Sequence, residues 1–260
     1  MSNLQGKTLF ITGASRGIGL AIALRAARDG ANVAIAAKSS VANPKLPGTI
    51  HSAAEAVTAA GGQALALKCD IREEDQVQAA VDLCVSHFGI PDIVVNNAGT
   101  THRNQPLMDV DEATFDRVFA VNVKSIFHMT RAVVPLMRER RNGSIINVGS
   151  VAGIRPRPGL TWYNGSKGAV NLLSKSLAVE LGPDGIRVNN ICPVMGETAL
   201  LEQFMGVPDT PENRARFVAT IPLGRLSKPD DIAAVAVFLA TDGAAFLNGV
   251  ELPVDGGRVV

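Results

Sequence analysis

The strongest constraint on the fold lies near the start of the chain, where a short apolar run leads into a glycine-rich loop. Residues 7–12, K-T-L-F-I-T, are β-prone and bounded by glycines, which predicts a buried strand. After the loop at 13–19, an alanine-rich stretch at 20–29 predicts a helix closed by Gly30, and a second apolar run follows at 32–37. This order predicts a β-α-β unit in a parallel sheet with helices on both faces.

The loop between the first strand and the first helix carries the first functional signal. Gly13 is placed for a tight turn, while Gly17 and Gly19 let the backbone approach a ligand at the start of the helix. Free backbone N–H groups and the helix dipole favour anions at that point. Between a strand and a helix, this loop predicts a pyrophosphate site for a nucleotide.

The remainder of the chain continues the alternation of strands and helices. Further strands are predicted at 63–68, 92–95, 143–148, 186–192 and 249–254. Helices are predicted at 51–60, 73–88, 111–137 and 229–241, and another helix carries Lys167 and runs to residue 181. The long helical stretch 111–137 is expected to break near Asn122. With no internal repeat or boundary, we predict a single domain over 1–260, a Rossmann-type doubly wound α/β fold of about seven parallel strands.

One segment near the end of the chain has a different composition. The stretch 199–217 contains Gly206, Pro208 and Pro211, which is typical of a mobile lid and argues against a rigid pair of helices. We therefore predict a substrate lid at 194–220.

A tyrosine, a lysine and a serine form the catalytic pattern. Tyr163 is the only tyrosine in the 260 residues, and Lys167 follows four positions later, on the same face of a helix. An ammonium group about 4 Å from the phenol would lower its pKa from about 10 towards neutrality. Ser150 lies thirteen residues before the tyrosine, at the end of a predicted strand, and offers a neutral donor to a developing oxyanion.

Composition limits the partners. The formal charge is +1 at pH 7, which gives no electrostatic reason to expect nucleic acid or an anionic membrane, so a small molecule is the better partner. The three cysteines and four histidines show no metal-type spacing, and no metal is expected. The start of the chain lacks a signal pattern and no apolar run is long enough to span a bilayer, so we expect a cytoplasmic protein.

The choice between NAD(H) and NADP(H) can be predicted from the absence of an acidic residue near the end of the second predicted strand. NAD usually needs a carboxylate near the end of the second strand, yet no Asp or Glu occurs between Asp29 and Glu55. Lys38 stands just beyond that strand, followed by Ser39 and Ser40, and Arg16 in the glycine loop could reach the same place. Cations and hydroxyls favour a 2′-phosphate, so we expect NADP(H) to be preferred over NAD(H). The alternative interpretation of Lys38 is a solvated surface lysine without a cofactor contact.

Several motifs together resemble the short-chain dehydrogenase/reductase superfamily in its short single-domain branch, similar to 3-oxoacyl-carrier-protein reductases. They are T-G-x-x-x-G-x-G at Thr12 to Gly19, N-N-A-G at 96–99, and the serine, tyrosine and lysine spacing. The segment P-V-M-G-E-T at 193–198 departs from the family pattern, because Val194 replaces a glycine. The resemblance spans almost the whole chain.

The resemblance implies a hydride transfer between NADPH and a ketone or secondary alcohol. It implies catalytic roles for Asn122, Ser150, Tyr163 and Lys167. It implies cofactor contacts, in addition to Tyr163 and Lys167, from Gly13, Ser15, Arg16, Gly17, Ile18, Gly19, Lys38, Ser39, Asp70, Ile71, Asn97, Ala98, Gly99, Val194 and Thr198. Similar family members pair the 121–137 helix and the catalytic-helix region across a two-fold axis, which implies a homodimer or homotetramer.

Other interpretations remain open at this point. A non-catalytic NADPH-binding regulatory protein and an epimerase or dehydratase on the same fold are the alternatives. His102 is interpreted as a surface-loop histidine, with a place in the substrate pocket as its alternative. Arg155 and Arg157 either meet an anionic substrate or are solvated. The pocket is expected to include Met195, Leu200, Phe204, Met205 and Trp162.

Overall fold

Seven apolar runs of the chain form one parallel sheet. The computed structural model describes residues 4–44 and 46–260. The strands are β1 Thr8–Thr12, β2 Asn32–Ala37, β3 Gln63–Lys68, β4 Ile93–Asn96, β5 Gly143–Val148, β6 Ile186–Pro193 and β7 Glu251–Val254. Their order is β3-β2-β1-β4-β5-β6-β7, and every neighbouring pair is parallel. The predicted seven-stranded Rossmann-type fold is confirmed.

Helices cover both faces of the sheet. They are α1 Gly17–Arg28, α2 Ile50–Ala59, α3 Glu74–Phe88, α4 Glu112–Phe119, α5 Ser125–Arg140, α6 Thr161–Leu181, α7 Leu201–Met205, α8 Pro211–Val218 and α9 Pro229–Ala240. One apolar layer joins the sheet to α1, α2 and α9, and the other joins it to α3, α5 and α6. Successive strand side chains alternate between the layers: Leu9 and Ile11 of β1 belong to the first, Phe10 to the second.

The strand order reverses between β1 and β4. The two strands are adjacent, with Ile11 opposite Val95, so the loops that follow them emerge side by side. From this point the crossovers lead to opposite ends of the sheet, and a crevice opens at the carboxyl ends of the strands. Ligands of open α/β sheets bind at such a reversal. In the described part of the chain, no helix is both long and apolar enough to cross a bilayer.

The predicted break in the 111–137 helix is confirmed. Between α4 and α5 the residues Ala120–Lys124 form a single π-helical turn, which contains Asn122. Three of the strands have the predicted bounds to the residue, and β7 begins two residues later than predicted. Gly249 adopts a left-handed conformation with φ of 74°, which is incompatible with an extended strand there.

The segment 199–217, whose composition argues against a rigid pair of helices, does form two short helices. This segment contains both α7 and α8. The Thr210 side chain accepts a hydrogen bond from the Asn213 N–H at the start of α8, and Pro211 occupies the first helical position. Gly206 ends α7 in a left-handed conformation with φ of 74°. The same glycine and prolines that suggest a loop therefore delimit two short helices.

Candidate active site

A cavity of about 1120 Å³ opens at the carboxyl ends of the strands. Its lining includes most of the predicted site residues: Gly13, Ser15, Arg16, Gly17, Ile18, Lys38, Ser39, Asp70, Ile71, Asn97, Ala98, Gly99, Ser150, Tyr163, Lys167, Val194 and Thr198. Gly19 and Asn122 lie outside the lining. The cavity exceeds the usual 300–1,000 Å³ of a small-ligand pocket, so a dinucleotide and a substrate can share it. Among the described residues, no cluster of metal-binding side chains is present.

The start of α1 fits an anionic ligand. Its N-cap residue, Arg16, makes no capping hydrogen bond through its side chain, and no acidic residue lies in the first turn. A β-carbon added to Gly17 would meet nothing within 4 Å, so the backbone is open there. The exposed N–H groups and the positive end of the helix dipole are what a pyrophosphate requires.

Gly19 has a packing role that the sequence pattern does not reveal. A β-carbon there would lie 2.5 Å from Asn97 Nδ2 and 2.6 Å from the Gly13 carbonyl oxygen. Gly19 is therefore required for α1 to pack against the loop after β4, whereas we expected it to face the ligand. A β-carbon on Gly13 would lie 2.8 Å from Ala98 Cα, so the two loops meet backbone to backbone.

Two asparagines of the N-N-A-G motif connect the strands beneath the cavity. Asn97 Nδ2 donates to the Thr12 carbonyl oxygen at 2.9 Å, and Thr12 Oγ1 accepts from the N–H groups of Asn97 and Ala98 at 3.0 Å each. Asn96 Nδ2 donates to Asn147 Oδ1 at 2.8 Å. These bonds join β1, β4 and β5 at the strand reversal and fix the floor of the cavity.

Positive side chains gather at the end of the cavity next to β2 and β3. Lys38 Nζ lies 3.0 Å from Asp70 Oδ2, and Arg72 donates to the same oxygen at 2.6 Å. These contacts, led by the hydrogen bond from Arg72, hold the pKa of Asp70 well below its usual range. Arg16 donates to Ser39 Oγ at 2.9 Å and to the Gly48 carbonyl oxygen at 2.7 Å. Three cations and one carboxylate leave an excess of positive charge here.

The three predicted catalytic side chains lie together and are buried. Ser150 is 8%, Tyr163 7% and Lys167 6% exposed. Lys167 Nζ donates to the Val148 carbonyl oxygen at 2.8 Å.

The expected lowering of the tyrosine pKa is not found. Burial raises the pKa of Tyr163 to about 12, although a hydrogen bond with Ser150 acts in the opposite direction. Burial also lowers the pKa of Lys167 to about 8. The expectation considered only the neighbouring ammonium group; desolvation, which disfavours both charged forms, has the larger effect. In this structure Tyr163 keeps its proton throughout the neutral range.

A buried amide network supports the serine. The Asn171 amide donates to the Ser150 carbonyl oxygen at 3.3 Å and to Glu251 Oε1 at 2.7 Å, while Asn190 Nδ2 donates to Asn171 Oδ1 at 2.9 Å. A β-carbon on Gly149 would lie 2.3 Å from Asn171 Oδ1. Sequence reasoning missed Asn171 and Asn190, because their partners are distant in the chain.

Asn122 lies behind the cavity. Its Oδ1 accepts from the Thr100 N–H at 2.8 Å, and its Nδ2 donates to Ser166 Oγ at 2.9 Å. A β-carbon on Gly99 would stand 3.5 Å from Asn122 Oδ1 and 3.6 Å from Lys167 Nζ, so only a small residue fits between these groups. The amide in the π-helical turn and the ammonium group of Lys167 thus both lie next to Gly99.

We had interpreted His102 as a surface histidine, but it is buried. It does not line the cavity either. Its ring is 3% exposed, and Nδ1 lies 2.8 Å from the Arg103 carbonyl oxygen. Because a carbonyl oxygen only accepts, Nδ1 carries the proton, and Nε2 accepts from the Tyr163 N–H at 3.4 Å. The N-cap residue of α6, Leu160, supplies no side-chain cap. His102 therefore caps the helix that carries the tyrosine.

We expect His102→Ala to lower kcat several-fold and the free energy of unfolding by about 1 kcal/mol, because the helix that carries Tyr163 loses its cap. The cofactor Kd should stay within two-fold, since His102 lies outside the cavity. The matched control is Asp111→Ala, which removes the cap of α4, where Asp111 Oδ1 accepts from the Thr114 N–H at 2.7 Å. Steady-state kinetics measure kcat, and thermal unfolding measures stability. An equal loss of kcat in the two variants would refute the role of His102 in positioning the helix that carries Tyr163.

The far half of the cavity has apolar walls and basic side chains. Phe204 contacts the Tyr163 ring at 5.1 Å between centroids, and Phe217 lies beneath the Arg157 guanidinium. Met195 and Leu200 line the cavity as predicted; Met205 and Trp162 do not. Met205 is buried in an apolar cluster with Leu201 and Ile221, and Trp162 packs edge-on against Phe115.

Cationic side chains far outnumber acidic ones around the whole cavity. The cations are Arg16, Lys38, Arg72, Arg117, Arg155, Arg157, Lys167, Arg214, Arg216 and Arg258, and the carboxylates are Asp70, Glu197 and Asp209. Since the whole chain carries a formal charge of only +1, this excess is a local property of the cavity. It favours anionic ligands.

Comparison with known proteins agrees with this geometry. A family model described as enoyl-(acyl carrier protein) reductase matches residues 13–258. The 4-formylbenzenesulfonate dehydrogenase of Comamonas testosteroni is 45% identical over 98% of this chain and 99% of its own. The chain belongs to the short-chain dehydrogenase/reductase superfamily, and this membership supports an oxidoreductase that binds a nicotinamide cofactor.

Two solved structures share the fold over nearly all of the chain. A 3-ketoacyl-(acyl-carrier-protein) reductase from Brucella melitensis, complexed with NADH, has a TM-score of 0.89 and 42% identity, covering 99% of this chain and 100% of its own. A xylitol dehydrogenase bound to NAD+ has a TM-score of 0.89 and 33% identity, covering 98% and 99%. Both neighbours hold a nicotinamide dinucleotide without a 2′-phosphate.

Proposed function

We propose that this chain is an NADP(H)-preferring oxidoreductase that interconverts a carbonyl compound and a secondary alcohol. The observation that carries the proposal is the convergence of Ser150, Tyr163 and Lys167 in one cavity with the uncapped start of α1. A nicotinamide cofactor bound there supplies or accepts the hydride. Superfamily membership supports the reaction class.

The three side chains have separate roles in this proposal. Tyr163 holds a proton at neutral pH, because burial raises its pKa to about 12, and it donates that proton to the oxygen of the carbonyl being reduced. Ser150 donates a hydrogen bond to the same oxygen as negative charge develops on it. Lys167 places a positive charge beside the site and can bind the cofactor ribose. For alcohol oxidation, Tyr163 must instead lose its proton.

Asn122 is proposed to complete the proton path. Its amide connects Thr100 on one side with Ser166 on the other, and the Ser166 hydroxyl donates to the Tyr163 carbonyl oxygen at 2.7 Å. This ordered amide, next to Lys167, can hold a water molecule that passes protons between the lysine and solvent. The π-helical turn around Asn122 frees backbone groups that such a water can bind.

The preference for NADP(H) rests on charge at the β2 end of the cavity. Arg16, Lys38 and Arg72 outnumber the single carboxylate of Asp70, and the residue at the end of β2, Ala37, offers no acceptor to a ribose hydroxyl. Arg72 was not foreseen from the sequence, and it adds to the positive charge. The NADH- and NAD+-bound neighbours make NAD(H) the competing choice.

We expect Lys38→Gln to lower kcat/KM for NADPH about ten-fold, because one charged contact to the 2′-phosphate is lost. The value for NADH should change less than two-fold. Lys68→Gln makes the same change of charge outside the cavity lining and should leave both values unaltered. Initial rates with both cofactors decide: an equal loss for NADPH and NADH in Lys38→Gln would contradict the assignment.

The test of the proposed function is oxidation of NADPH and NADH, at equal concentration, against a panel of carbonyl compounds. The panel contains 3-oxoacyl thioesters, diketones and cyclic ketones, which would give secondary alcohols. Aromatic aldehydes are added because of the Comamonas relative, and their reduction would give primary alcohols. Turnover with NADPH preferred is the expected result. A preference for NADH would overturn the cofactor assignment, and binding of both without oxidation would favour a regulatory NADPH-binding protein.

The expected homodimer or homotetramer, the substrate lid at 194–220 and the single domain stay predictions. Large apolar side chains are exposed on α5 and α6, with Phe127 54%, Leu172 66% and Val179 81% accessible, which supports pairing through these helices. Light scattering in solution measures the assembly. The lid helices contribute Leu201, Phe204 and Phe217 to the cavity wall, so their hydrogen exchange should slow when substrate binds.

A further inference from the structure

Arg157 is a half-buried cation without a counter-ion. It belongs to the loop between Ser150 and Tyr163, and its guanidinium lies 4.6 Å from the centre of the Phe217 ring. Within residues 4–44 and 46–260, it forms no ion pair, and its side chain makes no hydrogen bond. Its backbone is fixed, because Asn164 Nδ2 donates to the Arg157 carbonyl oxygen at 2.8 Å. The loop thus holds this charge at a set place relative to the catalytic helix.

Arg258 increases the positive potential around the Arg157 guanidinium. Burial, and then the nearby charge of Arg258, lower the pKa of the Arg157 guanidinium, so both effects disfavour its charge as the chain stands. Arg155 Nη1 donates to the Arg258 carbonyl oxygen at 2.9 Å, which ties the end of the chain to the active-site loop. An anion placed between Arg157 and Arg258 would remove this repulsion.

The acids in this half of the cavity do not supply that anion. Asp209 and Glu197 both face Arg214: its Nη2 donates to Asp209 Oδ2 at 2.6 Å, and its Nη1 lies 3.7 Å from Glu197 Oε1. The phosphates of the proposed cofactor have their own partners at the start of α1 and around Lys38. Arg157 and Arg258 are therefore left for the substrate.

We propose that Arg157 is the centre of an anion subsite and that the substrate is an amphipathic organic anion. This inference rests on the proposed function. The carbonyl or hydroxyl group lies at Tyr163, the apolar body lies against Phe204 and Phe217, and a carboxylate, sulfonate or phosphate at the other end binds Arg157. The planar guanidinium can bind such a group through two parallel hydrogen bonds.

Binding of two shape-matched probes tests the subsite without requiring turnover. Benzenesulfonate carries the anion, and methyl phenyl sulfone is its neutral counterpart with nearly the same shape. Each is titrated calorimetrically into the protein saturated with NADPH, and NADPH binding is measured in the same series. The variants are Arg157→Gln, Arg157→Lys and the control Arg28→Gln, an exposed arginine of α1 outside this cavity with the same change of charge.

The expected result is that benzenesulfonate binds the parent at least ten-fold more tightly than the sulfone. Arg157→Gln should weaken benzenesulfonate about 10- to 100-fold and leave the sulfone unchanged, with Arg157→Lys in between and Arg28→Gln like the parent. Equal affinity for the two probes in the parent, or an equal loss of both in Arg157→Gln, would overturn the proposal; the latter would show that Arg157 only supports Phe217. Failure of the oxidoreductase proposal would appear separately, as NADPH binding without turnover of any carbonyl compound.

Discussion

Tyr163→Phe should lower kcat by about 10²- to 10⁴-fold while NADPH binding changes less than three-fold. The substitution removes only the hydroxyl group that donates the proton, a contribution of that size for general acid catalysis. The ring and its edge-on contact with Phe204 remain, so the shape of the cavity is kept. Steady-state kinetics and a fluorescence titration of NADPH measure the two quantities.

The control for this substitution is Phe204→Leu, which alters the neighbouring ring but leaves the proton donor. It should affect KM more than kcat. Because Tyr163 is the only tyrosine, its ionisation can also be followed directly by phenolate absorbance. For the protein alone, the midpoint is expected above the usual phenol pKa, since burial favours the neutral form. Comparable turnover in parent and Tyr163→Phe would refute the role of the phenol.

Gly19→Ala should lower the free energy of unfolding by about 1–3 kcal/mol and weaken cofactor binding at least ten-fold. The added β-carbon would lie 2.5 Å from Asn97 Nδ2 and 2.9 Å from Ala14 Cα, so α1 or the loop after β4 must move. Both elements line the proposed pyrophosphate site. Denaturant unfolding measures the first effect, and titration with NADPH measures the second.

Gly165→Ala provides the matched control for this prediction. Gly165 lies inside α6, and a β-carbon there would meet nothing within 4 Å. Alanine favours a helix over glycine by about 1 kcal/mol, so this variant should be slightly more stable than the parent. If Gly19→Ala behaved like Gly165→Ala, the packing explanation would be wrong.

The strands inside the sheet were predictable because this fold buries them on both faces. Residues 32–37 and 143–148 read as nearly continuous apolar runs, and each forms a buried strand with those bounds. Residues 63–68 also form a strand with the predicted bounds, although this edge strand is only partly buried. The helices at 201–205 and 211–218 were not predictable, since their capping glycine and prolines are equally typical of a loop. In α7, the burial of Leu201 and Met205 in a cluster with distant residues favours the helix, whereas α8 has no buried residue and begins at a local cap.

The reacting residues were predictable, whereas their supports were not. Ser150, Tyr163 and Lys167 have a fixed spacing, but the partners of Asn171 and the buried place of His102 depend on segments far apart in the chain. The pKa of Tyr163 illustrates the same limit. The nearby lysine was visible in the sequence, yet the burial that raises the phenol pKa depends on the whole fold.

Transfer of deuterium tests the central claim most directly. NADPH carrying two deuterium atoms at the hydride-donating carbon of its nicotinamide is incubated with the parent and the best carbonyl compound of the panel, and the alcohol is analysed by mass spectrometry. The expected product carries one deuterium on the former carbonyl carbon, and Tyr163→Phe forms it at least 10²-fold more slowly. An alcohol without the label, or no alcohol although NADPH is bound, would contradict hydride transfer in this cavity.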